Sequence, residues 1–145
     1  MFVLTGFLYF LFVILTFLLA VTDYFIMRLP DKLTFPLLGI GLLFSGLKGS
    51  QVLFDNGVAA LFIGGLFALV AYFYPRGMGM GDAKYVTGLA LFLGLPSIVF
   101  TLALATSAAL ILGGFLIISK RIKLKQQMPF GPFLTIGAWL TMIVF

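Results

Sequence analysis

The chain has 145 residues, 63% hydrophobic and only 9% charged, which excludes an ordinary soluble domain, where about a quarter of residues are charged, and points to a lipid bilayer. Its net charge of +5 comes from nine Lys and Arg against four acidic residues, set in short gaps between apolar runs; this is a membrane-topology pattern and not a nucleic-acid surface. With no Cys and no His, disulfides, thiolate nucleophiles, the usual general base and the commonest metal ligand are all missing, so neither a metal nor a cofactor is expected.

The first 22 residues carry no side-chain charge. They lack the basic start, short apolar core and small-residue cleavage site of a secretory signal, so they read as a true membrane helix running from about Phe2 to Val21. A span of this length matches a hydrocarbon core of roughly 30 Å. A polar hinge from Tyr24 to Asp31 follows, then a second span from Leu33 to about Leu47 and a turn at Lys48 to Gln51. Asp55 and Asn56 read as the N-cap of a third span reaching Tyr74. Pro75 and Arg76 stop it and open a glycine-dense loop, Gly77 to Lys84.

The fourth apolar run, Tyr85 to Leu95, is about half a membrane thickness at roughly 16 Å. Either the glycine loop dips to membrane depth, or neighbouring helices shield a short span. Pro96 and Ser97 read as a turn with Ser97 as cap, Ile98 to Ser119 as a fifth span, Lys120 to Lys125 as the most basic segment, and Pro129 to Phe145 as a sixth span. No polar linker or internal repeat interrupts the chain, so one domain over 1–145 is expected. The fold class is all-α and polytopic, with about six transmembrane helices.

Counting positive charge loop by loop gives the expected orientation. The loops after spans one, three and five hold Arg28, Lys32, Arg76, Lys84, Lys120, Arg121, Lys123 and Lys125; the loops after spans two and four hold only Lys48. Both termini are therefore expected outside the cytoplasm. Asp23, Asp31 and Asp82 fall on the cytoplasmic side, with Asp55 opposite. Tyr24, Tyr72, Tyr74 and Tyr85 read as an aromatic belt at the same interface.

Ionisable residues at the edge of membrane spans are costly and mark functional sites. Asp23 ends an uncharged helix, and Asp82 follows the glycines. Two such carboxylates in one partly hydrated cleft would share a proton, which is the arrangement of an aspartic protease. In that reading Gly77, Gly79 and Gly81 clear side chains so that a peptide can approach Asp82. Taken alone, Asp82 also reads as a helix N-cap. Phosphate cradling by the glycines and Lys84 is disfavoured, since the carboxylate repels an anion and no strand precedes the loop. Two other classes stay open: a small transporter or proton relay using intramembrane Asp, and a non-catalytic component of a pilus or secretion assembly.

Residues 79–84, Gly-Met-Gly-Asp-Ala-Lys, resemble the GxGDxK signature of type IV prepilin peptidases, the GxGD-type membrane aspartyl proteases. Asp23, followed by Leu29, Pro30 and Asp31, resembles that family's first-aspartate segment, with Leu29 in the isoleucine place. Pro129, Phe130, Gly131 and Pro132 resemble its Pro-Phe-Gly-Pro segment.

The resemblance implies that Asp23 and Asp82 are the catalytic pair and that Gly79, Gly81 and Lys84 support them. It also implies that Pro30, Asp31 and Pro129 to Pro132 lie near substrate, and that the substrate is the cytoplasmic leader of a prepilin-like or pseudopilin-like membrane protein. The expected location is the inner membrane, with the active site facing the cytoplasm. Without the paired Cys motifs of longer members the chain reads as a short, peptidase-only form, for which methyl transfer, S-adenosylmethionine and zinc are not expected. Residue by residue, Asp31 reads as the cap of span two, and Lys84 as a loop or carboxylate partner or else as an interfacial lysine facing lipid. The run from Lys120 to Lys125 reads as a contact for anionic lipid.

Overall fold

A computed structural model describes all 145 residues as six helices with no strand. They are α1 (Phe2–Ile26), α2 (Asp31–Lys48), α3 (Ser50–Phe73), α4 (Met80–Leu93), α5 (Ser97–Ile118) and α6 (Gly131–Val144). Three of them, α1, α3 and α5, are long and apolar enough to cross a membrane. Their outward faces carry many exposed Leu, Ile, Val and Phe residues, as lipid-facing helices do.

Helix ends differ from the hydropathy reading because backbone events set them. α1 continues past Asp23 and stops only where Met27 turns left-handed, at φ 55°, so Asp23 lies within the last turns of a helix and not at a hinge. α3 begins at Ser50, because Gly49 at φ 129° reverses the chain directly after α2. Asp55 and Asn56 are therefore interior helix residues and no N-cap. The Gln51 amide donates to Asp55 Oδ1 across one helical turn (3.2 Å), and Asn56 is buried. Ser97 is the first residue of α5, with Pro96 in the cap position, and no side chain caps that helix. Pro132, near the start of α6, suits a position whose N–H has no helical partner anyway.

α4 is 14 residues long, about 21 Å. Neighbouring helices shield this short apolar helix. α4 packs on α2 and α3 along its length and touches α5 and α6, and Tyr85, Val86, Leu89 and Ala90 are fully buried. Small residues allow the close approach that helices in lipid rely on: a Cβ added at Gly41 would lie 2.7 Å from Leu91 Cβ, and one at Gly88 would lie 2.9 Å from Leu37 Cδ2. At the far end of α4, Phe92 is sandwiched between Phe12 and Phe44, with centroids 3.9 and 4.1 Å away. Tyr85 thus belongs to the core and not to an aromatic belt, whereas Tyr24, Tyr72 and Tyr74 are exposed.

Candidate active site

The connections α1–α2, α3–α4 and α5–α6 converge at one end of the bundle around a cavity of about 430 Å³. Asp23 and Asp82 both line it, together with Met27, Met78, Met80 and Met128. Four of the chain's six methionines therefore surround the two carboxylates with flexible, polarizable side chains, a lining suited to varied apolar partners. Hydropathy alone gives no hint of this, since Met counts simply as apolar.

Asp23 is only 5% exposed, and its Oδ2 accepts the backbone N–H of Gly131 at 2.6 Å. That bond docks the start of α6 against the end of α1 and fixes the carboxylate's orientation. Glycine is required at 131 because an added Cβ would sit 2.7 Å from Asp23 Oδ2 and 2.9 Å from Asp23 Cβ. Gly131 is itself buried and its N–H is spent on Asp23, so its place is behind the site.

Asp82 is half-buried in the first turn of α4, a helix with no side-chain cap. Gly79, not Asp82, holds the N-cap position; from the third residue past it the Asp82 carboxylate reaches back toward the Gly79 backbone N–H while also lining the cavity. The motif glycines also separate in role. A Cβ added at Gly81 would meet Leu29 Cβ at 2.9 Å and the Leu29 carbonyl at 3.1 Å, so Gly81 lets the start of α4 pack on the α1–α2 connection. At Gly79 the nearest atom is Asp82 Oδ2 at 3.9 Å, ordinary contact distance. Clearing the way for a peptide is thus not the whole use of these glycines; at position 81 the reason is packing.

Gly79, Gly81, Pro129 and Phe130 line the cavity alongside the aspartates, whereas Pro30, Asp31, Lys84 and Pro132 stand outside it. Pro30 holds the cap position of α2 and Asp31 is that helix's first residue, with no cap bond from its side chain. Instead Asp31 accepts from Lys84 Nζ at 2.6 Å, and the same ammonium lies 5.3 Å from the Phe35 ring. Lys84 is thereby a carboxylate partner and not a free lipid-facing lysine. With the two side chains 57% and 33% exposed, the pair is worth no more than about 1 kcal/mol; it pins α2 to α4 beside the cavity. Across the rim, Gln127 Nε2 donates to the Arg76 carbonyl at 2.7 Å, joining the α5–α6 and α3–α4 connections. No three metal-ligating side chains converge anywhere in the fold.

Comparison with known proteins gives this geometry a context. The profile of the type IV leader peptidase family matches residues 10–118, a stretch that includes both aspartates and the whole glycine motif. The prepilin leader peptidase/N-methyltransferase of Aeromonas salmonicida is 34% identical over 124 residues, covering 81% of this chain and 42% of that protein. Leader peptidase HopD of Escherichia coli is 34% identical over 120 residues, covering 77% of this chain and 76% of HopD. The prepilin leader peptidase/N-methyltransferase of Escherichia coli K12 is 30% identical over 143 residues, covering 94% of this chain and 61% of that protein. The chain thus spans about two fifths of the Aeromonas relative and most of HopD. No solved structure matches. Its apolar helices and these relatives together describe an integral membrane protein. With most of its length matched in this way, the chain belongs to the type IV leader peptidase family.

Proposed function

We propose that this protein is a membrane aspartyl endopeptidase that removes the cytoplasmic leader from prepilin-like precursors, with Asp23 and Asp82 as the reacting pair. The observation that carries this reading is that two carboxylates from different helices line one cavity in a chain with only four acidic residues. The relatives' names supply the substrate class. In the reaction one carboxylate takes a proton from water as the oxygen attacks the scissile carbonyl, and the other, protonated, donates to the carbonyl oxygen. Collapse of the tetrahedral intermediate breaks the C–N bond, and the departing amine takes up a proton. The pair titrates as a unit, so neither aspartate is assigned a separate role.

The charge count supports an inner-membrane protein of six spans with both termini outside and the cavity facing the cytoplasm. That is the side on which a leader is found. Lys120 to Lys125, following the end of α5, then lie where anionic lipid headgroups can meet them. Since a general acid or base contributes about 10²–10⁴-fold to rate, Asp23→Asn and Asp82→Asn should each abolish detectable cleavage while leaving the protein folded and inserted. Co-expression with a prepilin-like substrate reads this as loss of the size shift on a gel. Wild-type cleavage by either variant overturns the assignment.

A further inference from the structure

We propose that Tyr85 and Thr135 are positioning residues that hold the two aspartates in register, an inference that rests on the peptidase reading above. No Cα of α1 comes within 8 Å of α4, so the backbones carrying Asp23 and Asp82 do not pack directly on each other. Besides the α1–α2 connection, on which Gly81 packs through Leu29, what joins them at this end of the bundle is α6. Gly131 holds Asp23 at 2.6 Å, and one turn further along α6 the Thr135 hydroxyl sits 3.0 Å from the Gly131 carbonyl and 3.2 Å from the Thr16 carbonyl of α1. Another turn on, Trp139 Nε1 donates to Thr16 Oγ1 at 3.0 Å. Positions 131, 135 and 139 share one helix face and fasten α6 to α1.

Into the middle of that seam comes Tyr85, whose hydroxyl is 2.6 Å from Thr135 Oγ1. A threonine hydroxyl has one proton, and two carbonyls compete for it here. The arrangement that satisfies every group therefore has the Tyr85 O–H donating and Thr135 Oγ1 accepting. Tyr85 is fully buried and Thr135 is 2% exposed, so water does not substitute for this bond. Tyr85 stands three residues beyond Asp82 on α4, one turn away on the same face. The path Asp82, Tyr85, Thr135, Gly131, Asp23 thus runs through one turn of α4, two hydrogen bonds and one turn of α6. Every side chain along it except Asp82 is buried, so its length is set by the protein alone.

The test uses the full chain, purified in detergent, with a prepilin-like precursor, measuring kcat and KM separately. Because small misplacement of reacting groups costs rate more than binding, Tyr85→Phe and Thr135→Val should each lower kcat about tenfold with KM within about twofold. The double variant should be no worse than either single one, and Thr135→Ser, which keeps the hydroxyl, should restore kcat. A structural control lies on the same helix. Thr141→Val removes an equally buried hydroxyl pair, Thr101 to Thr141 at 2.8 Å, away from the cavity, and should leave kcat unchanged. Wild-type kcat in Tyr85→Phe, or an equal loss in Thr141→Val, overturns the proposal; if Tyr85→Phe does not fold, the Thr135→Val and Thr135→Ser pair decides in its place. Asp23→Asn and Asp82→Asn run alongside separate the two readings. Cleavage by those variants removes the peptidase assignment itself, whereas inactive aspartate variants with unaltered kcat in Tyr85→Phe remove only the positioning role.

Discussion

Asp23 at one end of the bundle and Asn56 at the other are almost equally buried, 5% and 8% exposed, yet the fold treats them in opposite ways. The Asn56 amide donates to Ser45 Oγ at 2.8 Å and to the Leu91 carbonyl at 3.1 Å, while Ser45 Oγ donates to that same carbonyl at 2.5 Å. This triad ties α2, α3 and α4 together with polar atoms that face each other. An ionised carboxylate, by contrast, has about four acceptor sites, and the protein fills one of those on Asp23, with Gly131 N–H. The remaining capacity faces a cavity that Asp82 shares. Burial alone therefore does not mark a functional group; burial with unspent hydrogen-bonding capacity beside an open volume does.

The comparison is broken most severely at Gly131. Alanine there places a Cβ 2.7 Å from Asp23 Oδ2, so the carboxylate or the start of α6 must move. A misplacement of about 1 Å costs on the order of 10²-fold in rate. Gly131→Ala should accordingly lose about that factor in kcat/KM for leader cleavage. An activity near wild type would mean that the Gly131 bond does not govern how Asp23 is aimed.

A smaller and different effect is expected at the opposite end. Asn56→Ala removes two buried hydrogen bonds, each worth about 1 kcal/mol net. It should lower unfolding stability by about 1–2 kcal/mol and leave kcat unchanged. Thermal unfolding in detergent and cleavage kinetics on the same preparation measure both. A kcat loss comparable to that of Gly131→Ala would erase the distinction between the two ends.

The all-helical fold and the family resemblance were legible in the sequence, because long uncharged runs, the spacing of Lys and Arg, and three short motifs are local patterns. That Asp23 and Asp82 would come to the same end of the bundle also needed only topology: the connections rich in Lys and Arg follow α1, α3 and α5, and in the structure these three border one cavity. The sequence was less informative wherever a residue's role depends on a distant partner. Tyr85 follows a lysine at the edge of an apolar run and so reads as interfacial; inside the bundle its hydroxyl instead meets Thr135, 50 positions away. Asn56 reads as a cap by residue type, but Ser45 and the Leu91 carbonyl draw it inward. Asp23 reads as the stop of α1 by its charge, yet the helix runs on to Ile26, because a helical backbone tolerates a charge that has a donor to face.

The smallest effect expected concerns the two motif glycines, which a pattern reading treats alike. Gly81→Ala must displace Leu29, whose Cβ and carbonyl would lie 2.9 and 3.1 Å from the new methyl group. Because that displacement shifts the first turn of α4, where Asp82 sits, cleavage should fall about tenfold. Gly79 has φ −80° and ψ 153°, a conformation open to any residue, and its nearest neighbour would be 3.9 Å away. Gly79→Ala should therefore stay within about twofold of wild type. Steady-state cleavage of one precursor by both variants makes the comparison. If Gly79→Ala is as damaging as Gly81→Ala, packing on Leu29 does not explain the motif, and bare backbone beside Asp82 is needed for the substrate itself to pass.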